Sequence, residues 1–295
     1  MEPLEGIFCA LWTPADAHTE ILWHQLEKHL AFVLEGGVHG IMPLGSTGEF
    51  VHFNIAQRME LLERVTRICR ERGTARVIAN VSDVLHRNAV TLAQHAKKAG
   101  ACCIAILPPW YFPVEQRDLA EFFIRAALSA GLPLALYNYP EVTGKKIELE
   151  TIEKVARSVQ VVAVKQSGAD FEYHKDLLRL GRDHGFVVLT GSDIRLEEAL
   201  RLGCAGAISG LANSVPHLFS TIYQKFRKGQ SSPDETARVS ELARKIAALK
   251  FPLNVKATIA ARGFETGEPK MPLSAETQKT YDGAVQEISD WFKRG

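Results

Sequence analysis

Short apolar runs alternate along this chain with longer amphipathic stretches. Gly6–Leu11, Val38–Met42, Arg76–Asn80, Cys102–Leu107, Pro133–Tyr137, Val161–Lys165, Phe186–Leu189 and Ala205–Ile208 are rich in apolar and β-branched residues and read as eight strands. Between them apolar positions recur near every fourth residue, as in Met59, Leu62, Val65 and Cys69 or in Leu119, Phe122, Phe123 and Ala126, the period of a helix with one buried face. Strands buried along their whole length and separated by helices belong to a parallel sheet covered on both sides. Eight such units predict an α/β chain closed into a (β/α)8 TIM barrel. A doubly wound sheet would carry a glycine-rich dinucleotide turn after its first strand, where this chain has Thr13-Pro14-Ala15-Asp16.

More chain follows the eighth strand than one closing helix needs. Val215–Arg227, Glu235–Ala248, Asn254–Arg262 and Ala275–Phe292 read as helices, separated by Gly229-Gln230-Ser231-Ser232-Pro233, by Phe251-Pro252 and by Gly267-Glu268-Pro269. The first is taken as the last helix of the barrel. The expected division is therefore a catalytic barrel domain over residues 1–229 and a helical extension over 230–295 packed on it. The length of 295 residues suits one barrel of ~250 residues plus such an extension.

Composition narrows the partners. Lys+Arg is 35 against Asp+Glu 34, a balance with no electrostatic footprint for nucleic acid or an anionic membrane, so a small molecule is the expected partner. Met1-Glu2-Pro3-Leu4-Glu5 lacks a basic leader region and no stretch has the length of a membrane span, which leads to the expectation of a cytoplasmic protein. Cys9, Cys69, Cys102, Cys103 and Cys204 make an odd number without C-x-x-C spacing, and reduced, packed thiols are expected. None of the ten histidines has a spacing such as H-E-x-x-H, and no metal or other cofactor is expected.

In a barrel of this kind catalytic groups sit where the strands end. Lys165 closes the apolar run Val161-Val162-Ala163-Val164. An amine in apolar surroundings loses part of the solvation of its charged form, which opens the way to a neutral nucleophile; a lysine that simply reaches water from a strand end is the plainer reading. Gly45-Ser46-Thr47-Gly48-Glu49, with two hydroxyls between glycines, suits a carboxylate but also an ordinary helix cap. Tyr137 ends the strand before that of Lys165, and neighbouring parallel strands lie ~4.8 Å apart, so its phenol is either a proton relay beside the amine or a packed aromatic. Gly191-Ser192-Asp193 after the seventh strand either caps the next helix or binds a polar substrate tail.

These segments carry a resemblance. GSTGE from Gly45, YNYP from Tyr137, VKQS from Val164, GSD from Gly191 and GAISGLAN from Gly206 resemble, in order and spacing over essentially the whole length, the dihydrodipicolinate synthase/N-acetylneuraminate lyase family of class I aldolases. The resemblance implies a barrel with C-terminal helices, assembled as a homotetramer made of dimers. It implies that Lys165 forms a Schiff base with a 2-oxo acid, typically pyruvate, and that Tyr137 relays protons. Ser46 and Thr47 would hold the carboxylate, with Thr47 also in the relay, and Ile208 and Ser209 would line the site opposite. Tyr111, in Pro108-Pro109-Trp110-Tyr111-Phe112-Pro113, resembles the tyrosine that completes a neighbouring subunit's relay. The protonated imine acts as the electron sink, so the adjacent C–C bond can break or form without a metal.

Departures narrow the member. Dihydrodipicolinate synthases resemble YNVPxRTG at the fifth strand, with the Arg gripping a substrate carboxylate, and here Val142 stands in its place. Sialic-acid lyases resemble G-Y-D-E after the seventh strand, and here Ile194 replaces the Glu. YNYP with GSD is similar to the 2-keto-3-deoxy-sugar-acid aldolases. Retro-aldol cleavage of a 2-keto-3-deoxy aldonic acid to pyruvate and an aldehyde is therefore expected. Sugar-acid dehydration and 4-hydroxy-2-oxoglutarate cleavage use the same Lys and Tyr. A non-catalytic 2-oxo acid binding module is the alternative of another class.

Overall fold

The computed structural model describes residues 4–73 and 76–294, so Met1, Glu2 and Pro3 of the N-terminal segment read above lie outside the described residues. Strands β1 (Gly6–Ala10), β2 (Gly40–Met42), β3 (Arg76–Asn80), β4 (Cys103–Ile106), β5 (Leu134–Asn138), β6 (Val161–Gln166), β7 (Val187–Thr190) and β8 (Gly206–Ser209) pair in sequence order, all parallel, and β8 returns to β1 to close the barrel. The expected barrel is the fold. Several strands begin or end a residue or two away from the apolar runs, because a ladder is set by backbone hydrogen bonds and not by side-chain apolarity. Pro133, for example, stays outside β5: it has no N–H to give, although its carbonyl accepts from Ile104 N at 3.0 Å.

Helices α1 (Trp23–Glu35), α2 (Ile55–Arg72), α3 (His86–Ala99) and α4 (Gln116–Ala130) follow the first four strands. A short α5 (Pro140–Thr143) precedes α6 (Leu149–Ser158), and α7 (Tyr173–His184), α8 (Leu196–Leu202) and α9 (Pro216–Arg227) complete the outer ring. Their apolar faces meet the sheet: α2 buries Leu61, Leu62, Val65 and Cys69, while Met59 is only half-buried. The five cysteines are free, four of them buried and Cys102 half-buried.

After the barrel come α10 (Pro233–Lys245), α11 (Leu253–Ala261) and α12 (Ala275–Arg294). This segment is held against the strand ends by contacts of long sequence separation. Trp12, just after β1, packs with Val255 and Ile259 in a small apolar cluster of its own, and its indole N–H donates to Thr266 O at 3.0 Å. Lys270 Nζ reaches back to Thr13 O at 2.9 Å and to Glu49 Oε2 at 2.7 Å. Asn213, fully buried after β8, accepts from Trp12 N at 2.9 Å and donates to Ala10 O at 2.7 Å, and Arg262 Nε donates to the neighbouring Ser214 O at 2.9 Å. Among the described residues no helix is long and apolar enough to cross a membrane.

Candidate active site

The register of β5 against β6 pairs Tyr137 with Lys165 and Asn138 with Gln166. Side chains alternate across a strand, so the first pair shares one face and the second pair the other. Tyr137 and Lys165, 2% and 5% exposed, line a cavity of about 280 Å³ at the C-terminal ends of the strands. On the other face Asn138 Nδ2 donates to Gln166 Oε1 at 2.7 Å and Asn138 Oδ1 accepts from Ile147 N at 2.9 Å, a buried amide clamp one residue beyond the Tyr–Lys pair. Sequence reasoning passed over this clamp. Asn138 was visible inside YNYP, but its partner lies 28 residues away.

Lys165 Nζ stands 3.9 Å from the centroid of the Tyr137 ring, within the range of a cation–π contact. The phenol oxygen points on to the Gly45–Glu49 turn, where it lies 3.3 Å from Ser46 Oγ. That turn is tightly constrained. Leu44 and Glu49 at its two ends have left-handed backbones, with φ of 55° and 53°, and the Asn80 side chain donates to Leu44 O. A Cβ on Gly48 would come within 2.8 Å of Leu11 O, so only glycine lets the turn lie so close to the end of β1. The helix-cap reading of the two hydroxyls does not hold, because α2 is capped by Asn54 in a reciprocal box with Gln57. Thr47 is buried and faces the cavity. The hydroxyl within reach of the phenol is that of Ser46, whereas the resemblance put Thr47 in the relay.

The Gly191–Asp193 segment does not cap a helix either, since α8 starts after Arg195 without a side-chain cap. Gly191 lines the cavity and packs so closely on the loop after β6 that a Cβ there would sit 2.0 Å from Ser167 Oγ. Ser192 is not among the residues that line the cavity, and its backbone N–H donates to Thr190 Oγ1 at 3.1 Å. Asp193 faces the cavity with Oδ2 accepting from Leu211 N at 3.1 Å, while its buried Oδ1 has no hydrogen-bond partner among the described residues. Burial raises its carboxyl above the usual range, although Ser209, the Leu211 and Gly210 amides and the charge of Lys165 pull the other way. Ile208 lines the cavity as expected of it. Ser209 is fully buried, accepting from Ala212 N at 2.9 Å. Tyr111 stands apart: 77% exposed and edge-on to Phe112, it lies outside the cavity of its own chain.

Ser167, Gly168, Gly210 and Leu211 add to the cavity from the loops after β6 and β8, and a further part comes from the segment after the barrel, which the strand-end search could not find. Ala243 of α10, then Ile246, Leu249 and Phe251, and Val255 of α11 form its outer wall. Tyr139 bridges the two parts, its ring nearly parallel to that of Tyr137 with centroids 6.2 Å apart and edge-on to Phe251 at 6.3 Å. Burial pushes the Tyr139 phenol up to about 12. Behind the Leu249–Phe251 turn a second cavity of about 450 Å³ holds Trp12, Lys256 and Lys270. Burial, then the charge of Lys270, pull the Lys256 amine down to about 8, and its Nζ donates to Gly267 O. Among the described residues no group of three or more His, Cys, Asp or Glu is placed to hold a metal ion.

With this geometry in view, the comparisons are specific. The model of the dihydrodipicolinate synthetase family matches residues 3–289. The 4-hydroxy-tetrahydrodipicolinate synthase of Staphylococcus haemolyticus is 31% identical over 269 residues, covering 91% of this chain and 90% of that protein. Among solved structures, the chain is similar to the dihydrodipicolinate synthase from Aquifex aeolicus with a TM-score of 0.90, 24% identity and 98% of both chains covered. It is similar also to YagE, a prophage protein from E. coli K12 solved in complex with pyruvate, with a TM-score of 0.87, 24% identity and coverage of 97% of this chain and 99% of that one. At that identity the two structures speak for the fold.

Proposed function

The chain belongs to the dihydrodipicolinate synthetase family, and from that premise we propose that it is a retro-aldolase in which Lys165 forms a Schiff base with a 2-keto-3-deoxy sugar acid. The observation that carries this reading is the pairing of Tyr137 with Lys165 on adjacent strands, with the phenol 3.3 Å from Ser46 Oγ. The neutral Lys165 amine adds to the C2 keto group, and the carbinolamine hydroxyl leaves as water with the proton of the Tyr137 phenol, giving a protonated imine beside a phenolate. Tyr137 takes the proton of the C4 hydroxyl, the C3–C4 bond breaks toward the imine, and the aldehyde departs from an enamine. Protonation at C3 and hydrolysis by water release pyruvate and restore the amine.

In this reading Ser46 is the first partner of the phenol, and Thr47 faces the substrate carboxylate together with the turn amides. Asp193 lines the part of the cavity that would take the departing half, and Gly191 and Ile208 line it as well. The amide clamp of Asn138 and Gln166 keeps the two reactive strands in register. Residues 1–229 act as the catalytic domain and 230–295 as the extension that closes it. The exposed Tyr111 would complete the relay of a second copy, in a cytoplasmic homotetramer made of dimers.

The aldehyde half is what separates this reading from that of the curated synthase relatives. A substrate with a second carboxylate needs a cation near the fifth strand, and Val142 occupies that place, half exposed on α5. Borohydride added with pyruvate is expected to leave one covalent adduct on the wild-type chain and none on Lys165→Ala, whose turnover falls on the order of 10⁴-fold or more. Failure of every 2-oxo acid in a panel to form an adduct would overturn the proposal in favour of a binding module.

A further inference from the structure

The strand that carries Lys165 ends one residue later, and the turn that follows also borders the cavity. Lys165 and Gln166 are paired on both sides, with Tyr137 and Asn138 of β5 and with Leu189 and Thr190 of β7. Ser167 N still donates to Asn138 O at 2.9 Å, and there the ladder with β5 stops. Ser167 and Gly168 line the cavity from a turn in which Gly168 has a positive φ of 100°. This turn is held from outside by the segment after β5. Glu141, in the first turn of α5, accepts from Ala169 N at 2.6 Å through Oε1, and its Oε2 lies so close to Gly168 that a Cβ there would fall on it. Further along, Lys146 Nζ reaches Asp170 Oδ2 at 3.0 Å. The turn of α5 that carries Glu141 starts from a cavity residue, since Tyr139 O accepts from Val142 N and Thr143 N at 3.1 Å.

We propose that Glu141 is a positioning residue of the retro-aldol reaction: its carboxylate straps the turn after β6 to the helix after β5 and so places the stretch of cavity wall made by Ser167 and Gly168. This deepens the retro-aldolase reading and rests on it. Glu141 does not line the cavity, so it acts through the turn and not on the substrate. In YNVPxRTG its place is the unspecified one, and the resemblance gives it no role. The bond from Ala169 N is short and ends on a carboxylate, a class roughly twice as strong as a neutral hydrogen bond. Ser167 lies against Gly191, in the part of the cavity assigned above to the departing half. A shift of the turn therefore disturbs the half that leaves. Lys165 is held separately, by ladders on both sides and by the Asn138–Gln166 clamp, and imine formation does not depend on the strap.

Two readouts separate the imine from the bond cleavage. Borohydride trapping of pyruvate reports the first, and pyruvate release from 2-keto-3-deoxygluconate and 2-keto-3-deoxygalactonate reports the second. Glu141→Ala, at an exposed residue that the fold tolerates, is expected to lower kcat/KM for the better-cleaved acid by about 10- to 100-fold, the scale of a misplaced positioning group. Its pyruvate adduct should form as in the wild type. Glu141→Gln keeps an acceptor for Ala169 N with about half the strength of the bond, and it should recover about half of that loss on a logarithmic scale. Wild-type cleavage by Glu141→Ala, loss of its adduct in step with cleavage, or a Glu141→Gln variant as impaired as Glu141→Ala would each overturn the inference alone. No adduct on the wild-type chain, or an adduct with neither acid cleaved, would overturn the retro-aldolase reading and the inference with it.

Discussion

The floor and the wall of one cavity are made by different parts of the chain and by different physics. The floor is built on strand ends, where parallel pairing brings Tyr137 beside Lys165 and buried backbone holds them there. The wall is built from α10, α11 and the turn between them, which reach the cavity only through contacts across the molecule such as Trp12 to Thr266 and Lys270 to Glu49. The floor carries the groups of the proposed reaction, and the wall decides what can approach them. Chemistry placed on strands is held to hydrogen-bond precision, while a wall on packed helices can alter its shape without moving the reactive atoms.

That contrast can be broken at either side. On the floor, Tyr137→Phe keeps the ring that Lys165 rests on and removes the proton carrier. A kcat loss of roughly 10²- to 10⁴-fold is expected while pyruvate trapping by borohydride stays near the wild-type level. Equal losses in both would remove Tyr137 from the relay. On the wall, Trp12→Ala deletes the centre of the cluster with Val255 and Ile259, and about 3–5 kcal/mol of stability should be lost in denaturant titration. The folded fraction of that variant should still form the pyruvate adduct, and a folded variant unable to form it would show that the wall also positions the reactive groups.

A smaller effect probes whether the floor is complete in one chain. Tyr111→Phe keeps the exposed ring and removes its hydroxyl, and turnover is expected to fall about tenfold, the low end of a proton-relay contribution. Dilution to monomers should lower the specific activity of the wild type as well, and a fully active monomer would rule out a shared relay. A separate effect, read in stability and not in turnover, belongs to Lys256 behind the wall. Its amine loses its proton near 8 in the folded chain and near its ordinary 10.5 when unfolded. Between these values the unfolded chain binds more protons, so the Lys256 contribution to stability rises with pH from about 8 to 10.5, by at most about 1.4 kcal/mol per pH unit. Lys256→Met should flatten that part of the stability profile, and identical slopes for both proteins would mean that this amine is not perturbed.

Much of the floor was legible in the chain. Fully buried parallel strands read as apolar runs, so Val161–Lys165 announced β6 and its terminal lysine, and the true strand runs one residue further to Gln166. The turn Gly45–Glu49 was legible because only glycine permits it to press on β1, as Gly48 does against Leu11 O. Less could be read where one motif allows two uses. Ser192 and Asp193 sit side by side in the sequence, yet only Asp193 lines the cavity, its carboxylate accepting from Leu211 N, 18 residues on. The wall was not legible at all as part of a site. Ile246, Leu249 and Val255 look like any buried helix-face residues, and nothing near them in the chain says which cavity they border.

The sequence by itself determined the barrel, the lysine at the end of its sixth strand and the tyrosine at the end of its fifth, because period, burial and strand order are local properties that a parallel barrel turns directly into position. Only the tertiary structure decided that Ser46 meets the phenol, that Asp193 turns to the cavity with a carboxylate bound to Leu211 N, and that the C-terminal segment supplies apolar side chains to the cavity. The first of those relations spans 91 positions, and contacts of that kind are set by how packed elements meet in space, for which no stretch of chain carries a local signal.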